Sequence, residues 1–274
     1  MTQNMRRFLV VAAFSAVFLY IGFVSILFVQ QRSFIYVPNP NPPIANLDVE
    51  TITVRTDDGL DLNGWYSAPR DDNAPVILFF HSNSGNIEHR QHKFRAPIAR
   101  GMGVLMAGYR GYGGNAGSPT EQGLYADARA YYRWLIDQGV AASRIVVYGE
   151  SLGTGVATQL VNENPAAALI LETPYARLSD PAQDQYPFIP FIEMLMHDKF
   201  RSIDKVGAIT APKLIMVAGR DEVLGTQTAY DLYEAAAEPK RLELFEQARH
   251  NNAYDHGAGD VVLEFIDTLR GAAR

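Results

Sequence analysis

The sequence predicts an α/β protein: a mostly parallel central sheet with helices on both faces, carried behind one membrane-spanning helix. Three observations predict this. From residue 75 onward, short apolar runs bounded by turn residues alternate with stretches of helical spacing. Two strand-like runs joined by a hairpin signal precede them. Residues 8–29 carry no charge over 22 positions, and a helix of that length spans roughly 33 Å, enough to cross a bilayer.

Bulk properties remove several classes. The 274 residues suit one globular domain of generous size or two small ones. Net charge is −6 and no basic run could track phosphates, so a nucleic-acid partner is not expected. The chain has no cysteine, which excludes disulfides, zinc thiolates and cysteine nucleophiles.

The elements follow in order. Arg6 and Arg7 precede the apolar run and only Arg32 follows closely. This bias puts the N-terminus in the cytoplasm and the remainder on the extracytoplasmic side. No face of the run is polar, which argues against a buried core helix. A cleaved signal peptide is the alternative, but its apolar core is about 7–15 residues and ends in small residues. Here the run is longer and ends in Ile26, Leu27, Phe28 and Val29, so residues 1–32 are read as an uncleaved signal-anchor. Residues 33–46 hold four prolines, the mark of an extended stalk or a strap over the domain. Strands at 49–55 and 60–67 flank the turn signal TDDG. Strand 75–81, helix 87–100 and strand 104–109 come next. A helix over 119–138 is opened by SPTE, from Ser118 to Glu121, read as a capping box with proline at the first helical position. Then come strand 144–148, helix 152–162, strand 167–171, an irregular stretch at 173–210, strand 213–217, helix 226–236, strand 241–245 and a last helix at 261–269. With no internal repeat, residues 33–274 read as one α/β domain.

The segment IVVYGESLGTGVA (145–157) carries the strongest chemical signal. A β-branched strand enters G-x-S-x-G and a helix follows, the arrangement of a nucleophile elbow with Ser151 at the turn. The serine backbone there must be strained to project its hydroxyl above the sheet, and a Cβ at Gly149 or Gly153 would collide with the turn. The new helix N-terminus adds positive potential beside a developing oxyanion. HSNSGN (81–86) directly follows the buried strand VILFF, where the main-chain N–H of Asn83, with that of Leu152, could form an oxyanion hole; Ser82 is the alternative donor. For the acid that orients a histidine, Asp221 lies just past the strand KLIMV, and Glu172, ending ALIL, is its rival. For the base, His250 follows the strand RLELF, whereas His256 stands near the last helix. The order Ser151, Asp221, His250 fits the elbow's usual chain order, so His250 is preferred.

Two decoys are set aside. His89 and His92 stand three apart on a helix, but no third ligand accompanies them, so a solvated face is expected and no metal. GYGGNAG (111–117) imitates a dinucleotide fingerprint, but its helix begins only at Pro119 and no acid ends the next strand at the spacing of about 20 residues. It reads as a flexible glycine-rich loop on the active-site rim, with no organic cofactor.

The chain resembles the α/β-hydrolase superfamily, in particular its membrane-anchored single-span branch related to prolyl-oligopeptidase-like and α/β-hydrolase-domain serine hydrolases. FIYVPNP (34–40), HSNSGNIEHR (81–90), YRGYGGNAGSPTEQGLYADA (109–128), GESLGTGVA (149–157), YPFIPFIEMLMHDKFRSIDKV (186–206), GRDE (219–222) and RHNN (249–252) carry the resemblance in the right order over nearly the whole domain. It implies Ser151 as nucleophile, Asp221 as acid, His250 as base and residues 173–210 as a cap insertion. It departs at one position: the family usually has H-G-N where this chain has His81-Ser82-Asn83, which adds a Cβ to the oxyanion loop. The apolar run YPFIPFIEMLM could line an acyl-binding cleft, touch lipid, or pack as a short helix on the sheet edge. The expected activity is cofactor-free hydrolysis of a small-molecule or lipid (thio)ester. A peptidase or amidase of the same fold, a catalytically silent binding protein and a dinucleotide oxidoreductase are the competing readings.

Overall fold

The computed structural model describes residues 2–272. Eight strands form the main sheet: β1 (Glu50–Arg55), β2 (Asp61–Ser67), β3 (Val76–Phe80), β4 (Gly103–Ala107), β5 (Ile145–Glu150), β6 (Ala168–Glu172), β7 (Lys213–Ala218) and β8 (Lys240–Phe245). Their spatial order is β8-β7-β6-β5-β3-β4-β2-β1. Only β1–β2 and β2–β4 pair antiparallel; all other neighbours are parallel. β3 through β7 are buried along their whole length, as continuous apolar runs covered on both faces should be. One hydrophobic cluster fills each face, and each draws on alternate strand positions: Leu78 and Val147 on one side, Ile77 and Val146 on the other.

The chain leaves β3 to form β4 on one side, then returns to form β5 on the other. That reversal leaves a crevice beyond the carboxyl ends of β3 and β5, where sites of open α/β sheets collect. The register pairs Phe80 with Gly149. The loop after β3 and the turn after β5 are therefore neighbours.

The helices are α1 (Gln3–Ile35), α2 (Arg95–Ala99), α3 (Glu121–Asp137), α4 (Leu152–Glu163), α5 (Ser179–Gln185), α6 (Ile192–Leu195), α7 (Ile203–Val206), α8 (Gln227–Ala235) and α9 (Ala258–Ala272). α1 runs 33 residues without interruption, is apolar enough to cross a membrane, and has no residue of its apolar window buried. Beyond it the proline-rich segment is a strap. Val37 and Pro38 pair with Ser84 and Gly85, and Gly113 N–H donates to the Asn39 carbonyl at 2.8 Å.

Three local expectations are corrected. α3 is capped by Thr120, whose Oγ1 accepts from Gly123 N–H at 3.0 Å, not by Ser118. Glu121 does not reach back to the cap. Its amide donates to Asp198 and its carboxylate holds Lys199 N–H and the Tyr125 hydroxyl, so tertiary partners outcompete the local box. The stretch 173–210 contains α5, α6 and α7, helices too short for periodicity to reveal. The 111–117 loop is tied down and does not rim the Ser151 cavity: Gly113 and Gly114 abut Pro43 and Pro42 of the strap, and Asn115 bonds the β2 backbone.

Candidate active site

Ser151 sits between β5 and α4 with φ 50° and ψ −115°, a backbone region few L-residues occupy. Its amide donates to the Glu172 carbonyl at 2.9 Å and its carbonyl accepts from Thr154 N–H at 2.9 Å, so the surrounding bonds hold the strain. The flanking glycines are required on steric grounds. A Cβ on Gly149 would stand 2.3 Å from the Gly153 carbonyl oxygen, inside the turn, and one on Gly153 would stand 2.1 Å from that of Phe80 on the adjacent strand.

Asp221 and His250 come from the loops after β7 and β8. Gly219 N–H donates to Phe245 O and Arg220 N–H to Ala248 O, both at 2.9 Å, which binds these loops together and brings the two side chains into contact. His250 Nδ1 lies 2.8 Å from Asp221 Oδ2, and His250 Nε2 lies 2.8 Å from Ser151 Oγ. A carboxylate can only accept, so Nδ1 carries the proton and Nε2 is left to accept from the serine hydroxyl. The other carboxylate oxygen, Oδ1, accepts from Val223 and Leu224 N–H at 2.9 Å each. Burial pulls the Asp221 carboxyl upward, but the imidazole bond and these two amides outweigh it and hold it below the ordinary carboxylate range. Ser151 is 6% exposed and His250 4%, so the chain of bonds is shielded from competing water.

The rivals lie elsewhere. His256 is exposed on the short helix Ala253–His256. His89 and His92 are both exposed, and His89 Nδ1 accepts from Asn86 N–H. Glu172 is buried in a separate cluster, where Lys93 Nζ reaches it at 2.6 Å and the Tyr148 hydroxyl at 2.5 Å.

That cluster is the part of the site sequence reasoning missed. Lys93 also bonds Glu150 at 2.9 Å, and Arg90 bridges Glu150 at 2.8 Å to the Ser82 hydroxyl at 2.6 Å. Burial would raise the Glu150 carboxyl, but Lys93 and Arg90 hold it down at about 2. Burial likewise favours neutral Lys93, yet Glu150 and Glu172 win and raise it. Ser82, at the departure from H-G-N, thus faces Arg90 and not the cavity, while its buried neighbour His81 is pushed down to about 3 by desolvation and stays neutral. A charged residue directly before the nucleophile serine was the available signal.

Asn83 and Leu152 line the same cavity as Ser151. The Asn83 carbonyl accepts from Val37 N–H at 2.9 Å and the Tyr112 hydroxyl at 2.7 Å, and its side-chain amide donates to Ile35 O. Strap and glycine-rich loop together fix this corner from behind. The cavity, about 230 Å³, is apolar above the serine. One wall is formed by residues 173–210, with Ile189, Ile192 and Met196; the other is α1, with Val24, Leu27, Phe28 and Gln31.

A serine elbow at the switch point of a mostly parallel sheet, with histidine and carboxylate delivered from the last two strands, defines an α/β-hydrolase. Comparison with known proteins agrees. No family model matches the chain. The α/β-hydrolase domain-containing protein WAV2 of Arabidopsis thaliana is 32% identical over 240 residues, 78% of each chain. The lysophosphatidylserine lipase ABHD12 of Danio rerio is 34% identical over 197 residues, 65% of this chain and 51% of that one. The solved Pyrococcus furiosus esterase Pf2001 superposes with a TM-score of 0.69 at 18% identity, covering 85% of this chain and 97% of its own. The chain belongs to the α/β-hydrolase family, and it is a serine hydrolase.

Proposed function

We propose that the protein is a membrane-anchored hydrolase of carboxylic (thio)esters, lipid esters included, acting through an acyl-enzyme on Ser151, His250 and Asp221. The observation that carries this reading is the unbroken path Ser151 Oγ to His250 Nε2 and His250 Nδ1 to Asp221 Oδ2, both 2.8 Å. His250 takes the serine proton as Oγ attacks the carbonyl carbon, and Asp221 stabilises the imidazolium and fixes its tautomer. The tetrahedral oxyanion is held by the main-chain N–H groups of Asn83 and Leu152, each worth roughly 10²–10³ in rate. It collapses as His250 returns the proton to the leaving group. Water, deprotonated by the same imidazole, then releases the acid and restores the serine.

Residues 1–32 serve as a signal-anchor that crosses the membrane through residues 8–29, and residues 33–274 form the catalytic domain with 173–210 as its cap. Arg6 and Arg7 support a cytoplasmic N-terminus and an extracytoplasmic catalytic domain. The apolar cavity above Ser151 and the lipase name of the Danio rerio relative both favour a substrate with an acyl chain. The test is covalent labelling by a fluorophosphonate probe with turnover of an ester panel. Wild type should label and Ser151→Ala should not. Equal labelling of the two, or an unlabelled wild type, defeats the reading in favour of a silent hydrolase fold.

A further inference from the structure

We propose that the anchor helix is itself a wall of the acyl pocket, and that the cap lies within the leaflet beside it, so that one acyl chain passes from the bilayer to Ser151 between the two. This rests on the ester-hydrolase reading and adds the route and the residues that recognise the chain.

The pocket wall on α1 is one helical face: Val24, Leu27, Phe28 and Gln31 follow the spacing i, i+3, i+4, i+7. The helix is fastened to the cap along this face. His197 N–H donates to Gln31 Oε1 at 2.7 Å, Gln31 Nε2 donates to the Leu195 carbonyl at 3.3 Å, and Arg32 pairs with Asp198 at 2.8 Å. Lower down, the Tyr20 hydroxyl donates to the Phe188 carbonyl at 2.8 Å, and the rings of Phe23 and Phe188 stand 6.0 Å apart.

These contacts fix depth. A hydrocarbon core about 30 Å thick takes about 20 residues of helix, so one that begins after Arg7 ends close to Phe28. Tyr20 then lies about 12 Å inside that boundary, and Phe188 lies with it. The cap tip is built for that level. Phe191 and Met194 are 75% and 78% exposed beside the half-exposed Phe188, and Phe191 is held at φ 57°. The acid between them, Glu193, is paired with Arg201. The Phe188 carbonyl, which hydrocarbon could not satisfy, has its donor in Tyr20. The occupant of this apolar tip is therefore the lipid leaflet.

The cavity runs from Val24, below the boundary, to Ser151 above it. A chain lying in it has its ester carbonyl at the serine and its tail pointing back into the bilayer, the orientation it already has in the leaflet. No methylene need cross water. At about 230 Å³ the space is below the roughly 300–1,000 Å³ of ordinary ligand pockets, and suits one chain, not two.

The experiment uses the full chain in phosphatidylcholine vesicles with 4-nitrophenyl palmitate and 4-nitrophenyl acetate. Leu27→Trp narrows the pocket from the helix side. Val29→Trp, at the same level but 78% exposed and outside the pocket, is the control. Leu27→Trp should lower the palmitate-to-acetate ratio of kcat/KM at least ~10-fold, and Val29→Trp should leave it within about 2-fold of wild type. Equal ratios for both variants overturn the proposal. A second measurement needs no turnover. In vesicles of acyl-brominated phosphatidylcholine, Phe191→Trp should show added, strongly quenched indole emission relative to the parent chain; unquenched emission places the cap in water and also overturns it. Failure of wild type to hydrolyse either ester would instead defeat the hydrolase reading, and the quenching result would still decide the placement of the cap.

Discussion

Replacing Lys93 by methionine keeps the length of the side chain and removes the one ammonium shared by Glu150 and Glu172. The side chains of all three are 4% exposed or less. The variant leaves two carboxylates buried with Arg90 bonded to only one of them. Breaking a buried pair by deleting one partner costs about 3–5 kcal/mol. For a domain of this size that lowers Tm by roughly 6–20 °C. The pH dependence should change as well. In the fold the Glu150 carboxyl sits at about 2, below the ~4.3 of an unfolded chain. Its folded value is depressed, so its contribution to stability is complete above pH ~4.3 and is lost as pH falls through the folded value. Without Lys93 the depression shrinks, and the acid arm of the stability curve flattens. The assay is thermal unfolding of the full chain and of Lys93→Met in the same detergent at one scan rate, from pH 7 down to pH 3. A Tm within ~1 °C of wild type at pH 7, with an unchanged acid slope, would refute the view that Lys93 compensates the two buried carboxylates.

Three further outcomes follow from the geometry. Asp221→Asn keeps the shape of the side chain but removes the charge that fixes the His250 tautomer, so ester turnover should fall about 10⁴-fold with unfolding temperature little changed; a loss under tenfold contradicts the assignment. Gly153→Ala places a methyl group 2.1 Å from the Phe80 carbonyl oxygen, and overpacking of this kind costs about 1–3 kcal/mol or more; a melt superimposable on wild type would show that the elbow can relax. Tyr112→Phe removes the donor to the Asn83 carbonyl, so about 1 kcal/mol should be lost and kcat should fall while KM holds, which steady-state kinetics on a soluble ester can separate.

The fold was legible because the parallel strands are buried on both faces. Such strands appear as unbroken runs like VILFF and IVVYG, and turn residues mark their ends. The meeting of Ser151, Asp221 and His250 in space was legible for a related reason. Each follows a strand, so the position of the strand in the chain sets the position of the side chain in space, and the bond from Arg220 N–H to the Ala248 carbonyl finishes the alignment. What lay beyond a strand end was less readable. SPTE had the spacing of a capping box, but Glu121 is drawn off by Lys199 and Tyr125, and Thr120 caps the helix alone. Arg90, Lys93, Glu150 and Glu172 are scattered along the chain, with Lys93 and Glu172 alone 79 positions apart. Arg90, Lys93 and Glu150 read as ordinary charges, and Glu172 as a rival acid, until the register of β5 and β6 sets Glu150 beside Glu172.

The part proposed for α1 was hidden for a different reason. An amphipathic pattern reports a difference between the media on two sides of a helix. In the proposed arrangement one side meets residues 173–210 and the acyl cavity and the others face lipid, so every position favours the same residues and no stripe forms. Three of its polar side chains mark the contact: Tyr20 meets the Phe188 carbonyl, Gln31 meets Leu195 and His197, and Arg32 meets Asp198, whereas Ser25 is satisfied by the helix itself through the Ile21 carbonyl. In hydrocarbon an unpaired hydroxyl or amide is expensive, so a polar residue on a spanning helix implies a partner at its own depth. On the proposed placement, Tyr20 within the apolar run of residues 8–29 calls for a second protein element at its own depth. The segment able to supply it is the one apolar enough to lie there, YPFIPFIEMLM of the cap.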